Sequence, residues 1–278
     1  MYEQPTFLMC APTHFKVDYV INPWMEGNQD KAAPKRAHAQ WDALYELVQQ
    51  YADVKLIEQV KDWPDMVFTA NAGLVLDDQA IISRFFHKER KGEEPYFRDW
   101  FAQNGFRSSE LPPDIYFEGA GDALFDREQA VLWAAYGFRS RPESQALLHQ
   151  RLEVEVLSLL LVDPRFYHLD TCFCPLAGGY AMYFPAAFDK AGLALIERRI
   201  SEDKRIVLEE ADAVQFAANA VNIGNTILLH KASDKLKGQL ERAGFEVKET
   251  PLDEFMKAGG AAKCLTLRLD EALAGDPQ

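Results

Sequence analysis

The feature that most constrains the fold of this chain is a coarse internal repeat. Four apolar segments, each followed by a turn and a second apolar segment, open on an aromatic residue at Phe68, Phe117, Tyr167 and Phe216. These openings lie 49, 50 and 49 residues apart. A period of this size is typical of proteins built from repeated supersecondary units that share a core with their neighbours.

Each period carries the pattern of a hairpin, a helix and a further strand. In the first, residues 68–76 and 80–86 predict a hairpin, followed by a helix near 96–104 and a strand near 108–111. The other three periods follow the same order. The N-terminal block 5–60 predicts strand, loop, helix and strand, so that five units of ββαβ character are expected.

A hairpin with one crossover helix cannot bury both of its faces alone, so the five units must pack against one another. No Ser/Gly-rich linker or low-complexity stretch interrupts the series, and we expect residues 1–278 to form a single domain. The predicted fold class is α/β, a closed, propeller-like ring of five ββαβ repeats around a pseudo-fivefold axis. Loops at corresponding strand ends then converge on the axis and form one site.

The charge of the chain limits the classes of ligand. Thirty Lys and Arg residues against 43 Asp and Glu give a formal net charge of -13, without long runs of one sign. This argues against a nucleic acid or an anionic membrane surface as partner, and it favours a small cationic substrate. Four cysteines, no signal-peptide pattern and no long apolar run predict a cytoplasmic, reduced protein without disulfides.

Cys172 and Cys174, close to His168, are residue types that bind zinc. Zinc ribbons and fingers place about two to four residues between paired cysteines and need a second such pair, which this spacing does not provide. Residues two apart on a strand share a face, so the pair is expected in a packed core. We therefore predict no metal and no cofactor, with a zinc protein as the alternative that metal analysis would test.

Polar residues stand at equivalent positions of the units, beside small residues or aromatic strand starts, where a ligand could reach them. His168 and Asp170 are two residues apart, so a strand would point both side chains to one side. The full set is Asn71, Glu118, Asp122, His168, Asp170, Asn219, Asn222 and Cys264.

A turn with little side-chain bulk precedes the last residue of this set. Gly259 and Gly260 come shortly before Cys264, and the alternating leucines of residues 265–269 predict a strand that leaves the thiol at its mouth. Taken singly, Cys264 could be a small buried hydrophobe and His168 a hydrogen-bonded core histidine. A thiol nucleophile needs an acid or base nearby and a cationic substrate needs carboxylates, and the set contains both.

Together these motifs resemble the guanidine-modifying superfamily of pentein fold, which includes arginine deiminases, dimethylargininases and amidinotransferases. The resemblance covers essentially the whole chain and rests on Glu118-Gly-x-Gly-Asp122, His168-x-Asp170 and the glycine-rich turn before Cys264. It implies that Cys264 attacks the guanidinium carbon and that His168 shuttles protons. It also implies that Asp170 holds the guanidinium nitrogens and that Glu118 orients His168.

One departure from the deiminase pattern refines the implied function. Deiminases place an aspartate at the end of the Phe-Thr-x-x segment as a second guanidinium anchor, whereas this chain has Asn71. Residues 20–28, 63–71 and 87–90 look most like the arginine dihydrolase branch, found as the N-terminal domain of bifunctional arginine-degrading enzymes, where that position is asparagine. The resemblance thus places Asn71 among both the catalytic and the substrate-binding residues.

The same resemblance assigns residues to the amino-acid end of the substrate. It implies that Asn22, Arg90 and Arg139 bind there, with the two arginines on the α-carboxylate, since a guanidinium fork matches a carboxylate. Ala258 is also predicted to bind the substrate. The alternative for both arginines is solvated surface charge.

The implied reaction is cysteine-dependent hydrolysis of L-arginine through a citrulline-level intermediate to L-ornithine, carbon dioxide and two ammonia molecules. An asparagine offers a donor and an acceptor to the neutral ureido group, whereas a second carboxylate would favour the cation. An arginine deiminase or dimethylargininase that stops at citrulline is the nearest alternative, and a non-enzymatic arginine-binding module is another. A further domain after residue 278 and a homo-oligomer are both left open.

Overall fold

The computed structural model of the chain describes residues 4–274, in which short strands and helices alternate. The strands are β1 Thr6–Cys10, β2 Asp53–Ile57, β3 Gly73–Leu76, β4 Gln79–Ile82, β5 Arg107–Glu110, β6 Ala123–Phe125, β7 Val131–Tyr136, β8 Glu155–Leu160, β9 Phe173–Leu176, β10 Tyr180–Tyr183, β11 Arg205–Val207, β12 Val221–Ile223, β13 Thr226–Leu229, β14 Glu246–Glu249 and β15 Leu267–Arg268. The helices are α1 Pro34–Gln49, α2 Lys88–Lys91, α3 Glu94–Gln103, α4 Glu143–Leu152, α5 Lys190–Arg199, α6 Glu210–Ala213, α7 Asp234–Arg242 and α8 Asp253–Met256.

Five three-stranded sheets share one topology. In each sheet the middle strand pairs antiparallel with one neighbour and parallel with the other, and a helix connects the two parallel strands. The sheets are β15-β1-β2, β3-β4-β5, β6-β7-β8, β9-β10-β11 and β12-β13-β14. The predicted α/β class and the five ββαβ repeats of a pentein propeller are confirmed.

Strands from both ends of the chain complete one of these sheets. β15 pairs antiparallel with β1, with Phe7 opposite Arg268 and Leu8 opposite Leu267, while β2 pairs parallel with the other edge of β1. This pairing closes the ring. It also carries the segment that precedes β15, including Cys264, to the centre of the molecule.

The middle strands are the most apolar because both of their faces are covered. In β7, the run Val131–Tyr136 is buried except for its last residue, whereas the outer strand β14 is polar and partly exposed. The helices show one apolar face, as in α1, where Ala37, Trp41, Leu44 and Val48 recur at helical spacing and are buried. Burial between the sheets therefore follows the periodicity of the sequence.

The residues that open three of the four predicted hairpins form 3-10 turns and those that open the fourth form other turns, so the prediction of strands there is wrong. Thr69–Ala72, Gly119–Gly121 and Leu169–Thr171 each make one such turn. His168 is extended while Asp170 lies inside its turn, so strand alternation does not explain their directions. Small and short polar residues favour tight turns, and the chain must curl where five units crowd around the axis.

The strand predicted over residues 265–269 is also shorter than expected. Its paired part is β15 alone, although the three leucines are all buried. The N–H of Leu265 still donates to the carbonyl of Ala261, so the residues before β15 belong to the turn that carries Cys264. A local backbone hydrogen bond thus replaces ladder pairing there.

Within residues 4–274, no helix has the length and apolar character needed to cross a bilayer. The longest helix, α1, has 16 residues and one polar face. The predicted cytoplasmic location stays a prediction.

Candidate active site

A small cavity lies where loops from several sheets meet. Two residues predicted for the site, Glu118 and Asp170, lie behind its wall in contact with His168 and Cys264. Each lining residue is buried apart from Ile21, which is partly exposed, so the cavity is largely closed to solvent. The other seven predicted site residues line it, namely Asn22, Asn71, Arg90, Arg139, His168, Ala258 and Cys264.

The glycine-rich turn places the thiol of Cys264 in this cavity. Gly259 has a φ of 90°, a left-handed conformation that favours glycine, and a Cβ there would lie 2.6 Å from the hydroxyl oxygen of Tyr167. Tyr167 donates its hydroxyl to the carbonyl of Gly259 at 2.7 Å. The turn is thereby fixed against a neighbouring unit, and Cys264 is 3% exposed.

Asn219 holds this thiol from behind. Its Nδ2 donates to Sγ of Cys264 and to the carbonyl of Asp170, each at 3.0 Å. Its Oδ1 accepts the backbone N–H groups of Ala261 and Cys264, each at 3.1 Å. The sequence groups Asn219 with the other polar residues near the axis but indicates no role for it. Asn222, from the same group, lies elsewhere. Its Nδ2 donates within its own hairpin, and its Oδ1 accepts the backbone N–H of Ala177 from the neighbouring hairpin.

Burial controls the resting ionisation of the thiol and of its carboxylate neighbour. Sγ of Cys264 lies 3.4 Å from Oδ2 of Asp170, within reach of an S–H donor. Burial, and after it the charge of Asp170, raises the pKa of the Cys264 thiol well above its usual value. Burial raises the pKa of Asp170 to about 7, although Lys263 opposes the rise. The free protein therefore keeps the thiol protonated, and a bound cation would favour the thiolate.

His168 is held by two residues of opposite charge. Oε2 of Glu118 lies 2.7 Å from Nε2 of His168 and 3.0 Å from Nη1 of Arg139. Burial alone would raise the pKa of Glu118, but Arg139 and His168 outweigh it and hold that pKa well below its usual value. Ionised Glu118 only accepts hydrogen bonds, so Nε2 of His168 carries a proton. Nδ1, which bonds no residue of the described chain, is left for proton exchange at the cavity.

Asp122 supports the turn that follows His168 and does not line the cavity. Its Oδ1 accepts the backbone N–H of Leu169 at 3.2 Å, and its Oδ2 accepts the hydroxyl of Ser140 at 2.6 Å. Burial raises the pKa of Asp122 to about 6, with His168 opposing the rise. The Glu118-Gly-x-Gly-Asp122 motif thus joins a residue that contacts the imidazole to one that anchors its backbone.

The amide of Asn71 lies between a donor and an acceptor of the protein. Nη1 of Arg90 donates to Oδ1 of Asn71 at 2.8 Å, and Nδ2 of Asn71 donates to the carbonyl of Glu118 at 3.0 Å. One N–H of Nδ2 and one lone pair of Oδ1 remain for a ligand in the cavity.

Arg90 is buried, and the protein itself occupies most of its donors. Nε and Nη2 form a fork with Glu93 at 2.9 and 2.7 Å, and Nη2 also reaches the carbonyl of Asp65 at 3.1 Å. With the bond to Asn71, one N–H of Nη1 is left. Arg90 is 3% exposed and is therefore not a solvated surface charge. Its contact with a substrate carboxylate stays a prediction.

Asn22, Ala258 and Arg139 form another part of the wall. Nδ2 of Asn22 donates to the carbonyl of Ala258 at 3.0 Å. Nη2 of Arg139 donates to the carbonyl of Ile21 at 2.8 Å, and its guanidinium lies 4.5 Å from the ring centroid of Tyr167. These contacts tie the loop before α1 to the ring. Binding of the substrate's amino-acid end by the three residues stays a prediction.

Asp65 is a cavity residue that the sequence does not single out. It is 2% exposed, and its Oδ2 accepts the hydroxyl of Tyr19 at 2.9 Å, while its Oδ1 has no hydrogen-bond partner among residues 4–274. Burial raises the pKa of Asp65, and Arg90 opposes the rise. The sequence feature that could have singled out Asp65 is its position as an acidic residue between Pro64 and an apolar run. A buried carboxylate oxygen of this kind suits a cationic group of a ligand.

Cys172 and Cys174 lie in the apolar core, as predicted. Sγ of Cys172 lies 3.5 Å from the carbonyl of Leu169, and Sγ of Cys174 lies 3.6 Å from that of Ala220. Burial raises the pKa of Cys174 to about 12, with Arg127 opposing the rise. No group of three or more His, Cys, Asp or Glu residues within 4–274 is placed to hold a metal ion.

These groups can carry out covalent chemistry on a planar cation. A thiol and a ring nitrogen that can exchange protons line one cavity, and buried carboxylates surround them. A pentein ring with this set of residues defines the guanidine-modifying class of proteins. The chain belongs to the N,N-dimethylarginine dimethylhydrolase family, whose eukaryotic model matches residues 11–270.

Several relatives are similar along most of the chain. The bifunctional arginine dihydrolase/ornithine cyclodeaminase AgrE of Nostoc sp. is 60% identical over 95% of this chain and 38% of its own length. The corresponding ArgZ protein of Synechocystis sp. is 58% identical over 99% of this chain and 39% of its own length. The N(G),N(G)-dimethylarginine dimethylaminohydrolase of Mycobacterium tuberculosis is 38% identical over 95% of this chain and 85% of its own length.

Solved structures of the ArgZ domain match the fold closely. The N-terminal domain of ArgZ, a C264S mutant bound to substrate, gives a TM-score of 0.96 at 58% identity and covers 96% of this chain and 99% of that chain. This ArgZ is an arginine dihydrolase from the ornithine-ammonia cycle in cyanobacteria. The same domain as ArgZ(N71S) is covalently bound to a reaction intermediate. The present chain spans about two fifths of the length of the bifunctional relatives.

Proposed function

We propose that this chain is an arginine dihydrolase, which converts L-arginine and two water molecules into L-ornithine, carbon dioxide and two ammonia molecules. The observation that carries the proposal is the amide of Asn71 at the cavity wall, held by Arg90 and by the carbonyl of Glu118. The identity of 58–60% with ArgZ and AgrE, both named arginine dihydrolases, supports it.

The first half of the reaction removes one terminal nitrogen of the guanidinium. The bound cation favours the thiolate of Cys264, whose proton passes to Nδ1 of His168. The thiolate attacks the guanidinium carbon while Asp170 accepts hydrogen bonds from the nitrogens. His168 gives its Nδ1 proton to the departing nitrogen, and ammonia leaves a covalent thiouronium. His168 then takes a proton from water, which attacks the same carbon. The remaining hydroxyl proton passes to the sulfur, and the thiol and a ureido group are released.

The second half repeats the attack on the ureido carbon. Cys264 Sγ adds there, ammonia leaves with a proton from His168, and an S-carbamoyl thioester remains. Water activated by His168 hydrolyses it to a carbamic acid, which loses carbon dioxide and yields ornithine. Each half consumes one water and returns the thiol, so the two halves balance.

The neutral amide of Asn71 makes the second half of the reaction possible. An aspartate at this position would add a charge-assisted bond to the cation, stronger by about 1 kcal/mol than a neutral one. That difference corresponds to roughly a fivefold change in relative affinity for the cation and the neutral ureido group. The free N–H of Asn71 can instead donate to the ureido oxygen, which keeps the intermediate in place for a second attack.

Acidic and basic residues of the wall suit the two ends of arginine. The unpaired Oδ1 of Asp65 and the carboxylate of Asp170 supply acceptors for cationic groups. Arg139 and the remaining donor of Arg90 supply positive charge for the α-carboxylate, with Asn22 and Ala258 beside them. Glu118 keeps His168 oriented throughout.

A dimethylargininase is the second candidate, because the family name and the mycobacterial relative point to it. That activity would release citrulline and dimethylamine from a methylated substrate and would stop there. Incubation with N(G),N(G)-dimethylarginine separates the candidates, since a dihydrolase with a closed, polar cavity should turn over arginine much faster.

The deciding assay follows ornithine, citrulline and ammonia over time after purified protein is mixed with L-arginine. We expect ornithine as the terminal product, with two ammonia molecules for each ornithine. Citrulline as the sole terminal product, with one ammonia each, would reassign the chain to the deiminases. Absence of any turnover would favour the arginine-binding module instead.

We also propose that residues 1–278 make up a single catalytic domain, which the pairing of β1 with β15 supports. The expected absence of a nucleic-acid or membrane partner, the further domain and the homo-oligomer stay predictions.

A further inference from the structure

A fully buried ion pair stands behind the amide of Asn71. Both carboxylate oxygens of Glu93 bind Arg90, Oε1 at 2.9 Å from Nε and Oε2 at 2.7 Å from Nη2. Glu93 is 0% exposed and Arg90 3%. The same guanidinium then donates from Nη1 to Oδ1 of Asn71 at 2.8 Å. Glu93, Arg90 and Asn71 thus form one chain of hydrogen bonds that ends at the cavity.

The backbone around this pair leaves it little freedom. Arg90 lies in the short helix α2, and the N–H of Glu93 donates to its carbonyl at 2.9 Å, which places the two side chains together. The guanidinium lies 4.3 Å from the ring centroid of Phe85. On the other side, a Cβ at Gly92 would lie 1.8 Å from the Trp63 ring, so this ring packs directly on the turn. Buried packing therefore holds Arg90 in one position.

The orientation of the Asn71 amide follows from its partners. Arginine has donors alone, so it requires the oxygen of the amide, and the carbonyl of Glu118 requires the nitrogen. If the amide turned over, both bonds would become repulsive contacts. The atoms of Asn71 that remain free at the cavity are thus decided by Arg90 together with the carbonyl of Glu118, and the position of Arg90 is decided by Glu93.

We propose that Glu93 is a positioning residue that sets the product of the reaction, because it holds Arg90 so that Asn71 presents an N–H to the ureido intermediate. The inference rests on the proposed dihydrolase function and deepens it. When the hold on Arg90 is lost, the amide can turn and present its oxygen, as the deiminase aspartate does. The ureido group is then retained less well and leaves as citrulline before the second attack.

Two variants of Glu93 test this role. Glu93→Gln removes the charge and replaces one acceptor of the fork by a donor, and Glu93→Asp keeps the charge on a side chain one methylene shorter. We expect the ratio of ornithine to citrulline to fall about tenfold in Glu93→Gln, the order expected for one lost charge-assisted hydrogen bond, and by less in Glu93→Asp. Turnover of added citrulline relative to arginine should fall in the same order.

Glu271→Gln is the matched control. Glu271 forms a comparable fork with Arg127, and it lies outside the cavity. Its removal should lower the thermal midpoint without changing the product ratio. Thermal unfolding of all variants reports how much of the protein remains folded.

The outcomes separate this inference from the proposed function. Wild-type protein that stops at citrulline overturns both. Wild-type protein that forms ornithine, together with folded Glu93 variants of unchanged product ratio, overturns the role of Glu93 alone. A fall in overall rate at constant ratio, an equal shift in Glu271→Gln, or failure of both Glu93 variants to fold would reduce Glu93 to a structural residue and likewise overturn it.

Discussion

The side-chain nitrogen of Asn219 lies 3.0 Å from the sulfur of Cys264 and donates a hydrogen bond to it. The same amide accepts two backbone N–H groups from the turn that carries the thiol. One buried residue therefore places the sulfur and also offers a donor to the negative charge that develops on it. No other side-chain donor of residues 4–274 contacts Sγ.

Replacing Asn219 should make the thiolate of Cys264 harder to form. Asn219→Ala removes a bond to a charged sulfur that contributes about 1.5–3 kcal/mol, so kcat/KM for arginine should fall about tenfold or more. The rate of Cys264 alkylation should require a higher pH than in the wild type. Asn222→Ala, which removes an amide outside the cavity, should leave the pH profile of alkylation unchanged. An unaltered profile in Asn219→Ala would contradict this role.

Cys264→Ser should abolish turnover and keep the fold. A serine hydroxyl ionises far less readily than a thiol and is a poorer nucleophile in this site, whereas the change in volume is small. Product assays and thermal unfolding of this variant check both statements. Cys174→Ala, which alters a buried thiol of the apolar core, should remain active, and retained activity in Cys264→Ser would remove the nucleophile assignment.

Asn71→Asp should shift the product toward citrulline. The new carboxylate strengthens binding of the cation, and it also places an oxygen 3.0 Å from the carbonyl of Glu118, where a donor stood before. Loss of that bond between buried groups should lower the free energy of unfolding by about 1–3 kcal/mol. The product ratio and urea unfolding measure the two effects, and an unaltered ornithine yield would contradict the role given to Asn71.

The activity should fall as the pH drops below about 7. Burial raises the pKa of Asp170 to about 7, and a protonated carboxyl binds the guanidinium poorly. Since kcat/KM reports ionisations of the free enzyme, its acidic limb should show this pKa. Asp170→Asn should be much less active and should lack that limb. An acidic limb near pH 4 in the wild type would show that Asp170 is ionised far more easily than its burial implies.

The same carboxyl should also make the protein less stable at high pH. A folded-state pKa above the unfolded value of 3.8 means that the folded chain binds the proton more tightly. Its stabilising effect is complete below about pH 4 and is lost as the pH rises through about 7. At pH 8 Asp170→Asn should therefore be more stable than the wild type by a few kcal/mol. Guanidinium unfolding at both pH values measures the difference, which should vanish near pH 4.

The repeat could be predicted from the sequence because each sheet buries a middle strand with a continuous apolar pattern. Val131–Tyr136 is such a strand, and its spacing to the equivalent strands fixes the number of units. The turns at the axis could not be predicted in the same way. His168 and Asp170 lie in a segment whose backbone is decided by crowding around the axis and not by local periodicity.

The catalytic residues could be recognised from their sequence motifs, whereas the residues that support them could not. Cys264 and His168 stand beside characteristic glycines and acidic residues in the chain. Glu93 and Asp65 look like ordinary charged residues, since nothing in the sequence shows that Arg90 is buried beside both of them. A single sequence does not reveal which charged side chains will form buried ion pairs.

The pairing of β1 with β15 has a consequence for folding during synthesis on the ribosome. The sheet around β1 lacks one of its three strands until Arg268 has emerged, although most of the chain is free to fold earlier. Cys264 lies just before β15 in the chain. A nascent chain from which β15 has not yet emerged should therefore lack the placed thiol that the proposed reaction needs.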